Sequence, residues 1–234
     1  MSERFLLETP PRDGRATLTG DEARHLARVL RAKVGDEIRV FDGGGREWPA
    51  RVATIDRDAV ALTVGEPLPP QPGPARPLTI AVALPKGDRQ KWLVEKLTEL
   101  GAKALVPLVT ARGVAEATAS AQARLARGVI EACKQCGRNT LLEIAAPQTI
   151  ATLLADVAAG LAIVADPHAP SLDATAVRAA GRDIVGLVGP EGGFTGAEIA
   201  AAERAGAIRA GLGPHILRIE TAAIALAARL AGAS

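Results

Sequence analysis

Beyond residue 77 the hydrophobic positions fall into short, nearly continuous runs that alternate with longer stretches of helical spacing. The runs are Leu78–Leu84, Ala104–Leu108, Leu161–Ala165, Ile184–Val188 and Ile208–Leu212. The helical stretches are approximately Arg89–Leu100, Ser120–Cys136, Ile150–Ala158, Gly196–Ala205 and Ile219–Ala231. Strands that alternate with helices are typical of a mostly parallel sheet. We therefore predict an α/β fold with helices on both faces of such a sheet.

Residues 1–66 show a different pattern, in which short strand-like segments are separated by turn residues. The segments are Arg4–Leu7, Ala16–Leu18, Glu37–Phe41, Glu47–Thr54 and Ala59–Val64. One helical stretch, from Asp21 to about Ala32, interrupts them, and Thr19 and Glu22 have the spacing of a capping box at its start. This pattern predicts a small β-barrel with one helix.

A proline-rich segment separates the two patterns. Residues 65–77 read GEPLPPQPGPARP, in which six of the thirteen residues are proline. Proline sustains neither a helix nor a central strand. We therefore expect a first domain over 1–66, a stiff linker over 67–77 and a second domain over 78–234.

The composition narrows the range of partners. The 234 residues carry a net charge of +2, which is too mildly basic to establish a nucleic-acid partner by itself. The chain has no Tyr, two Trp and three Phe, which disfavours a platform of aromatic rings that stack on bases. Because neither a signal-peptide pattern nor a sufficiently long apolar span is evident, we expect a cytoplasmic protein without a membrane partner.

Two glycine-bearing loops each follow an apolar run in the second half of the chain. Gly189-Pro-Glu-Gly-Gly193 comes after Ile184–Val188, and Gly211-Leu-Gly-Pro214 comes after the next run. Open α/β sheets bind ligands at such loops, and glycine lets the backbone approach the ligand closely. Thr195 and Glu198 have capping-box spacing at the following helix. The spacing is not GxGxxG, so we expect one ligand between the loops that is not bound through a dinucleotide fingerprint.

A cation and a carboxylate follow the second glycine loop. The segment His215-Ile-Leu-Arg-Ile-Glu-Thr221 brings Arg218 and Glu220 to the start of an alanine-rich helix. A simple ion pair between them would add little stability. Beside a ligand loop, however, both side chains are candidates for chemistry.

Basic residues suggest contacts with phosphate. Arg24, Arg28 and Arg31 recur at i, i+4 and i+7 of the first predicted helix, without an acidic partner at i+3 or i+4. The guanidinium fork matches phosphate, but a solvated face explains the pattern equally well. Lys86-Gly-Asp-Arg89 opens another helix and suits a phosphate, although it lacks the ending of a P-loop. A nucleotide-hydrolysing enzyme is accordingly disfavoured.

The longest predicted helix and the residues that follow it carry further basic residues and both cysteines. Arg127, Lys134 and Arg138 share a face, which again suits either RNA phosphates or solvent. Cys133 and Cys136 form a CxxC pair, but neither a second pair nor a His cluster has the spacing of a zinc site. We therefore favour a structural role for the cysteines and expect no metal.

These motifs together resemble one family. VGPEGGFTGAE and LGPHILRIETAAIAL resemble the cofactor loops of the SPOUT methyltransferases, and within them the RsmE type, the 16S rRNA uridine-N3 methyltransferases. Further matches are HLARVLR at 25–31, FDG at 41–43, KGDRQKWLVEKLTELG at 86–101 and EACKQCGRN at 131–139. The resemblance implies an N-terminal PUA-like barrel and a C-terminal SPOUT domain with a deep trefoil knot. It also implies bound S-adenosylmethionine (SAM) and a homodimer with each active site at the subunit interface.

The resemblance assigns roles to individual residues. It implies that SAM is held by Ala165, Val188, Gly189, Pro190, Glu191, Gly192, Leu212, Gly213, Ile216, Leu217 and Thr221. It implies catalytic positions at Arg218, Glu220 and Glu191. It implies RNA contacts at Arg24, His25, Arg28, Arg31, Lys86, Arg89 and Arg138. The chain departs from the family at His215, where Arg is usual, and at Ile219, where Thr is usual.

The implied reaction is methylation of N3 of a uridine in 16S rRNA or the small ribosomal subunit. Uridine N3 carries a proton, so the protein must supply a base or favour the uracil anion. We expect Arg218 to stabilise charge on a uracil oxygen and Glu220 to be the first candidate base or orienting group, with Glu191 and His215 as alternatives. Two hypotheses stay open beside this one: methylation of another RNA position or a ribose 2′-hydroxyl, and a non-catalytic ribosome-assembly factor that binds RNA.

Overall fold

A computed structural model describes the protein over residues 3–71, 76–113, 118–156, 160–179 and 183–231. The chain divides into two compact units. The first comprises Met1–Pro72 together with Ile130–Leu141, and the second comprises Gly73–Val129 together with Leu142–Ser234. Part of the predicted linker, at 72–75, lies outside the described residues.

The first unit contains a five-stranded sheet that curls into a half-barrel. Its strands are β1 (Arg4–Leu6), β2 (Arg15–Thr19), β3 (Glu37–Phe41), β4 (Glu47–Ile55) and β5 (Ala59–Val64). They lie in the order β1-β3-β4-β5-β2, with β1 parallel to β3 and the other neighbours antiparallel. Side chains alternate between the two faces of a strand, so Val40 and Val52 are buried in the core whereas Arg39 and Arg51 face solvent.

The helix of the first unit is shorter and less regular than the sequence predicts. An α-helical turn, α1 (Gly20–Arg24), continues into a π-helical turn over His25–Val29, where the N–H of Leu30 donates to the carbonyl of His25. Leu26 is buried against the sheet core. Arg31 lies beyond the helix with a φ of 54°, a conformation that is uncommon for a residue other than glycine.

The capping box predicted at the start of this helix is wrong. Thr19 occupies the N-cap position without a side-chain hydrogen bond to the helix. The Glu22 carboxylate instead accepts a hydrogen bond from the N–H of Leu6 at 3.0 Å and pairs with the Lys134 ammonium at 2.9 Å. Both partners are distant in sequence, so local spacing gives no sign of them.

Residues 130–141 are joined to the rest of the first unit by a cluster of buried polar groups. The Arg4 guanidinium pairs with the Glu47 carboxylate at 2.9 Å and donates to the carbonyl oxygens of Cys133 and Arg138. The Lys134 ammonium also lies over the Phe5 ring, 5.4 Å from its centroid. Buried charges need such partners, so this segment completes the polar interior of the unit.

The second unit is built on a parallel sheet. Its strands are β6 (Leu78–Val82), β7 (Ala104–Val109), β8 (Glu143–Ile144), β9 (Gln148–Thr149), β10 (Leu161–Ala165), β11 (Ile184–Val188) and β12 (Ile208–Ala210). The order is β12-β10-β11-β6-β7-β8, β9 also pairs with β7, and all these pairings are parallel. The helices are α2 (Arg89–Glu99), α3 (Ala119–Cys136), α4 (Ile150–Asp156), α5 (Ala174–Ala179), α6 (Gly196–Arg204) and α7 (Ile219–Ala231).

Helices cover both faces of this sheet, as the sequence predicts. Val185 and Leu187 of β11 belong to one buried cluster with residues of α4 and α6. The residue between them, Gly186, points to the opposite face, where a Cβ would lie 2.6 Å from the Leu226 side chain on α7. Glycine at this position therefore lets α7 lie directly on the strand. The α/β class predicted from sequence is confirmed.

Most predicted elements of the second unit are present, with small differences. The short elements α5, β8 and β9 are absent from the sequence prediction. The helix predicted over Ile150–Ala158 is described as far as Asp156, and the end of that prediction lies outside the described residues. No helix in the described part of the chain combines the length and apolar character needed to cross a membrane.

Candidate active site

A cavity of about 570 Å³ lies at the carboxyl ends of β10, β11 and β12 in the second unit. The loops that follow these three strands supply most of its walls. Its lining consists of Ala165, Asp166, Pro167, His168, Val188, Gly189, Pro190, Glu191, Gly192, Gly193, Phe194, Ile199, Leu212, Gly213, His215, Ile216, Leu217, Arg218, Ile219 and Ala222. Its size is within the range of about 300–1,000 Å³ that small-molecule sites occupy, and its position is the usual one in open α/β sheets.

The loop after β11, residues 189–194, takes its shape from local backbone contacts. Gly193 has a φ of 68°, which other residues rarely adopt, and its N–H donates to the Pro190 carbonyl at 2.8 Å. A Cβ at Gly189 would lie 3.2 Å from atoms of Phe194, so the aromatic ring packs against bare backbone. The glycines thus allow a tight turn with its backbone facing the cavity.

Side chains on both sides fix this loop further. The predicted capping box is confirmed: the Thr195 hydroxyl accepts from the Glu198 N–H at 3.2 Å, and the Glu198 carboxylate accepts from the Thr195 N–H at 2.7 Å. The same carboxylate accepts from the N–H of Ala111 at 2.9 Å. The Arg112 guanidinium donates to the Gly192 carbonyl at 2.6 Å. These hydrogen bonds hold the loop after β7 against the loop after β11 and the start of α6.

Hydrogen bonds keep two carboxylates beside the cavity ionised. Burial acts to raise the pKa of Glu198, but the two backbone N–H groups that it accepts from outweigh this effect, and the pKa lies below its usual value. Burial also acts to raise the pKa of Asp166, and the His168 N–H and the Arg209 guanidinium, 2.7 Å away, lower it overall. Both groups therefore carry negative charge at neutral pH.

The loop after β12 is held firmly at its base and lies open at its tip. The Gly211 N–H donates to the Pro170 carbonyl at 2.7 Å, and a Cβ at Gly211 would lie 2.7 Å from the Ala169 carbonyl oxygen. Only glycine permits two backbone segments to approach this closely. Farther along, His215 and Ile216 are exposed, and the Ile216 residue is 84% exposed although it borders the cavity.

Arg218 and Glu220 lie two residues apart but in different environments. The Arg218 guanidinium is exposed at the cavity and makes no hydrogen bond or ion pair within the described part of the chain. Glu220 is buried, does not line the cavity, and its Oε2 accepts no hydrogen bond from any described residue. Its Oε2 lies 3.5 Å from Nη1 of Arg89, whose Nη2 is 3.8 Å from the Glu191 carboxylate. Glu220 is thus paired with Arg89 on α2 and not with Arg218.

The cavity lies within a segment that matches a known family. The sequence model of the RNA methyltransferase domain matches residues 71–231, which include every strand and loop that borders the cavity. The ribosomal RNA small subunit methyltransferase E of Synechocystis is 37% identical over 213 residues, or 88% of this chain and 69% of that protein. This chain belongs to the ribosomal RNA small subunit methyltransferase E family. The resemblance seen in its motifs is confirmed.

Solved members and neighbours of the family share the fold over nearly the whole chain. The ribosomal RNA small subunit methyltransferase E of Neisseria gonorrhoeae, bound to S-adenosyl methionine, is 30% identical with a TM-score of 0.86, covering 97% of this chain and 96% of that one. A methyltransferase of Legionella pneumophila in complex with SAM is 26% identical with a TM-score of 0.91, covering 98% and 97%. The RNA methyltransferase PUA domain matches residues 18–65 of the first unit.

The structure brings together most residues that the methyltransferase motifs single out for SAM. Ten of them line the cavity, and the eleventh, Thr221, stands in the first turn of α7 outside the lining. Of the three candidate catalytic residues, Arg218 and Glu191 line the cavity and Glu220 does not.

The sequence prediction omits several residues of the site. Asp166, Pro167 and His168 line the cavity and follow β10 directly. Polar residues at the end of a predicted strand could have identified them as part of the site. Arg112 and Phe194 shape the glycine loop through contacts with Gly192 and Gly189. No spacing rule relates Arg112 to a glycine 80 residues away.

The residues expected to contact RNA are divided between the two units. The first unit holds Arg24, His25, Arg28, Arg31 and Arg138, and the second holds Lys86 and Arg89. The expected face of three arginines is broken, because the π-helical turn changes the helical period and Arg31 lies beyond it. Arg24 also pairs with Asp21 on its N-terminal side.

Arg138 and the two cysteines do not line the cavity. Arg138 is half-buried, and burial lowers the pKa of its guanidinium, although a guanidinium stays protonated at any ordinary pH. Cys133 is buried and Cys136 is exposed. Among the described residues, no three His, Cys, Asp or Glu side chains converge as they would around a metal ion.

Proposed function

We propose that this chain transfers a methyl group from SAM to N3 of a uridine in the 16S rRNA of the small ribosomal subunit. The proposal is carried by the convergence of two glycine loops on one cavity with an arginine that has no partner among the described residues, in a chain of this family. Relatives named for the small-subunit rRNA and neighbours solved with SAM support the substrate and the methyl donor. The uridine N3 target rests on the likeness of the two loop motifs to uridine-N3 enzymes.

The cavity has the properties that a SAM site needs. Its volume and apolar walls suit an adenosine, and the backbone of Gly189, Gly192, Leu212, Gly213 and Leu217 offers hydrogen-bonding groups at close range. A Cβ at Gly189 would crowd Phe194, so the cradle depends on bare backbone there. Bound SAM would supply a methyl group already activated on a positively charged sulfur. Ile216 is placed to lose its exposure when the site is filled.

Arg218 is proposed to favour the uracil anion. Its guanidinium borders the cavity and has no partner within the described residues, so it is available to the substrate. When N3 loses its proton, negative charge spreads to the adjacent carbonyl oxygens. A fixed guanidinium beside one of them stabilises that charge most strongly in the transition state.

The N3 proton needs an acceptor, and the structure favours Glu191 or His215 over Glu220 for direct contact. Glu191 and His215 both line the cavity. Glu220 is buried against Arg89 outside the lining, so we assign it a positioning role. In the complete step, the acceptor takes the N3 proton while the N3–methyl bond forms and the sulfur–methyl bond breaks.

RNA is proposed to lie along the first unit, mainly through phosphate contacts. Arg28 and Arg31 are exposed around the π-helical turn, beside the exposed apolar residues Val29 and Val34. Cations of this kind position RNA without reading its sequence. His25, Arg24, Lys86 and Arg138 are proposed as further contacts.

A salt titration tests the role of Arg28. Replacing Arg28 with Ala should weaken RNA binding. It should also lower the slope of log Kd against log salt concentration by about 1, the change expected when one phosphate contact is lost. Fluorescence anisotropy with a 16S rRNA fragment measures both. Arg57→Ala, at an exposed turn between β4 and β5, is the control. An unchanged slope would remove the turn from the interface.

We further propose a trefoil knot in the second unit, a homodimer and a cytoplasmic location. The family resemblance supports the knot and the dimer. The proposed substrate supports the location. Light scattering on the purified protein measures the oligomeric state, and a monomer at micromolar concentration would contradict the homodimer.

Mass spectrometry of nucleosides tests the reaction. The protein and SAM are incubated with small ribosomal subunits from cells that lack the activity, and with naked 16S rRNA. We expect new 3-methyluridine. A different methylated nucleoside would keep the enzyme class and discard the target. No methylation by a protein that binds SAM would favour the RNA-binding assembly factor.

A further inference from the structure

Arg89 lies between two carboxylates that belong to different parts of the site. One terminal nitrogen, Nη1, is 3.5 Å from Oε2 of Glu220, and the other, Nη2, is 3.8 Å from Oε1 of Glu191. Glu220 belongs to the first turn of α7, and Glu191 belongs to the glycine loop after β11. Arg89 itself begins α2, so one guanidinium connects three elements.

The two carboxylates differ sharply in exposure, and this difference indicates what the connection does. The Glu220 side chain is 5% exposed, the Arg89 side chain 37% and the Glu191 side chain 56%. Glu220 Oε2 accepts no hydrogen bond from the described residues, so Arg89 is its charge partner there. A buried carboxylate that loses its partner is strongly unfavourable. Glu220 therefore anchors Arg89, and Arg89 in turn restrains the exposed Glu191.

This anchoring argues against Arg89 as a direct ligand of RNA phosphate. A guanidinium that turned outward to a phosphate would leave the Glu220 carboxylate buried without compensation. Lys86, three residues earlier, is exposed and forms no ion pair with a described residue. The two basic residues of one sequence motif thus have different tasks.

We propose that Arg89 is a positioning residue that holds Glu191 and its glycine loop in the conformation that receives SAM. Glu191 lines the cavity, so the freedom of its side chain adds to the entropy that must be lost on binding. Arg89 removes part of that freedom before SAM arrives. The proposal rests on SAM binding as the function of this cavity.

A double-mutant cycle measured by calorimetry with SAM tests the proposal. Arg89→Met should raise the Kd for SAM by about tenfold in the wild-type background, within the range of couplings between contacting side chains. In the Glu191→Gln background the same change should alter Kd by less than about twofold, because the residue through which Arg89 acts is already altered. Equal effects in both backgrounds would overturn the proposal.

Arg89→Lys separates positioning from general stability. A lysine keeps the positive charge for Glu220, but its single ammonium does not reproduce a fork that faces two carboxylates. We expect a Tm close to that of the wild type together with a Kd as weak as that of Arg89→Met. Full recovery of SAM affinity by lysine would show that charge alone suffices and would overturn the proposal.

Two further proteins complete the experiment. If Arg89→Met fails to fold, Arg89→Met/Glu220→Gln removes the stranded charge and takes its place in the cycle. Lys91→Met, two residues away on the exposed side of α2, makes the same charge change and should leave Kd unchanged. A Kd raised equally by Lys91→Met would reduce the effect to long-range charge and overturn the proposal. Absence of SAM binding by the wild-type protein would instead overturn the proposed function.

Discussion

The two glycine loops of the cavity are built in opposite ways. The loop over 189–194 is closed by the capping box of Thr195 and Glu198 and by the Arg112 guanidinium, so its shape exists before any ligand binds. The loop over 211–218 is fixed at Gly211 but exposes Ile216 and Arg218. The difference indicates a division of tasks, in which the first loop supplies a preformed wall and the second presents exposed side chains at the cavity.

The largest expected effect concerns the open loop. Arg218→Ala should lower kcat by about 10²–10³-fold, the usual loss when one donor to a developing anion is removed. The SAM Kd and the Tm should change little, because Arg218 has no partner in the described structure. Single-turnover kinetics and calorimetry measure the two quantities. Arg204→Ala, an exposed arginine on α6, is the control, and a parallel loss of SAM binding would contradict the catalytic role.

A substitution at the base of the same loop should instead lower the stability of the protein. Gly211→Ala places a Cβ 2.7 Å from a carbonyl oxygen, so it should lower the free energy of unfolding by about 1–3 kcal/mol, as overpacking usually does. Chemical denaturation measures this change. Gly196→Ala is the matched control, because a Cβ there has no neighbour within 4 Å. Equal stability of the two variants would mean that the two backbone segments do not approach each other closely.

Ile216 should matter for ligand and not for folding. Ile216→Ala should weaken SAM binding by about tenfold, equivalent to one or two buried methylene groups at ~0.8 kcal/mol each. The Tm should stay the same, since the residue is 84% exposed. Ile208→Ala, a partly exposed isoleucine outside the cavity, is the control for calorimetry. A lower Tm with unchanged affinity would reverse the assignment.

The smallest effect is expected in the rigid loop. Glu198→Gln should lower the free energy of unfolding by about 1 kcal/mol at neutral pH, because a neutral amide replaces the charged acceptor of the hydrogen bonds from the Thr195 and Ala111 N–H groups. The folded pKa of Glu198 lies below its ordinary value of 4.5, so this contribution is present above that pH and is lost as pH falls through the folded pKa. Urea denaturation from pH 7 to 3 should show the two proteins converging in acid. A difference in unfolding free energy that is independent of pH would exclude ionisation of Glu198 as its cause. Glu203→Gln, on the same helix, is the control.

The parts that local sequence determines were predictable. The run Ile184–Val188 and the pair Thr195 and Glu198 specified a buried strand, a tight loop and a capped helix, and all three are present. Each depends on neighbours within a few residues, so periodicity and capping chemistry sufficed. The same rule failed at Thr19 and Glu22, because the Glu22 carboxylate pairs with Lys134 and accepts from the Leu6 N–H, both of which are distant in sequence.

The remaining parts of the site depend on contacts that sequence spacing does not reveal. The segment His215–Thr221 suggested that Arg218 and Glu220 act together, whereas Glu220 turns to Arg89, which is more than a hundred residues earlier. Helical geometry at Ile219 sends successive side chains in different directions, and only the packing of α2 decides which one is buried. Which cation meets which carboxylate is therefore a property of the tertiary structure.

The polar interior of the first unit has a practical consequence for anyone who dissects the protein. A fragment that stops at the proline-rich segment lacks 130–141, and with it the carbonyl groups that Arg4 reaches and the ammonium that Glu22 pairs with. Such a fragment would leave the Arg4 and Glu22 side chains without these partners and would uncover the Phe5 ring. It should therefore aggregate when expressed by itself. The first unit is better isolated by joining residues 130–141 to it through a linker than by cutting where the sequence changes character.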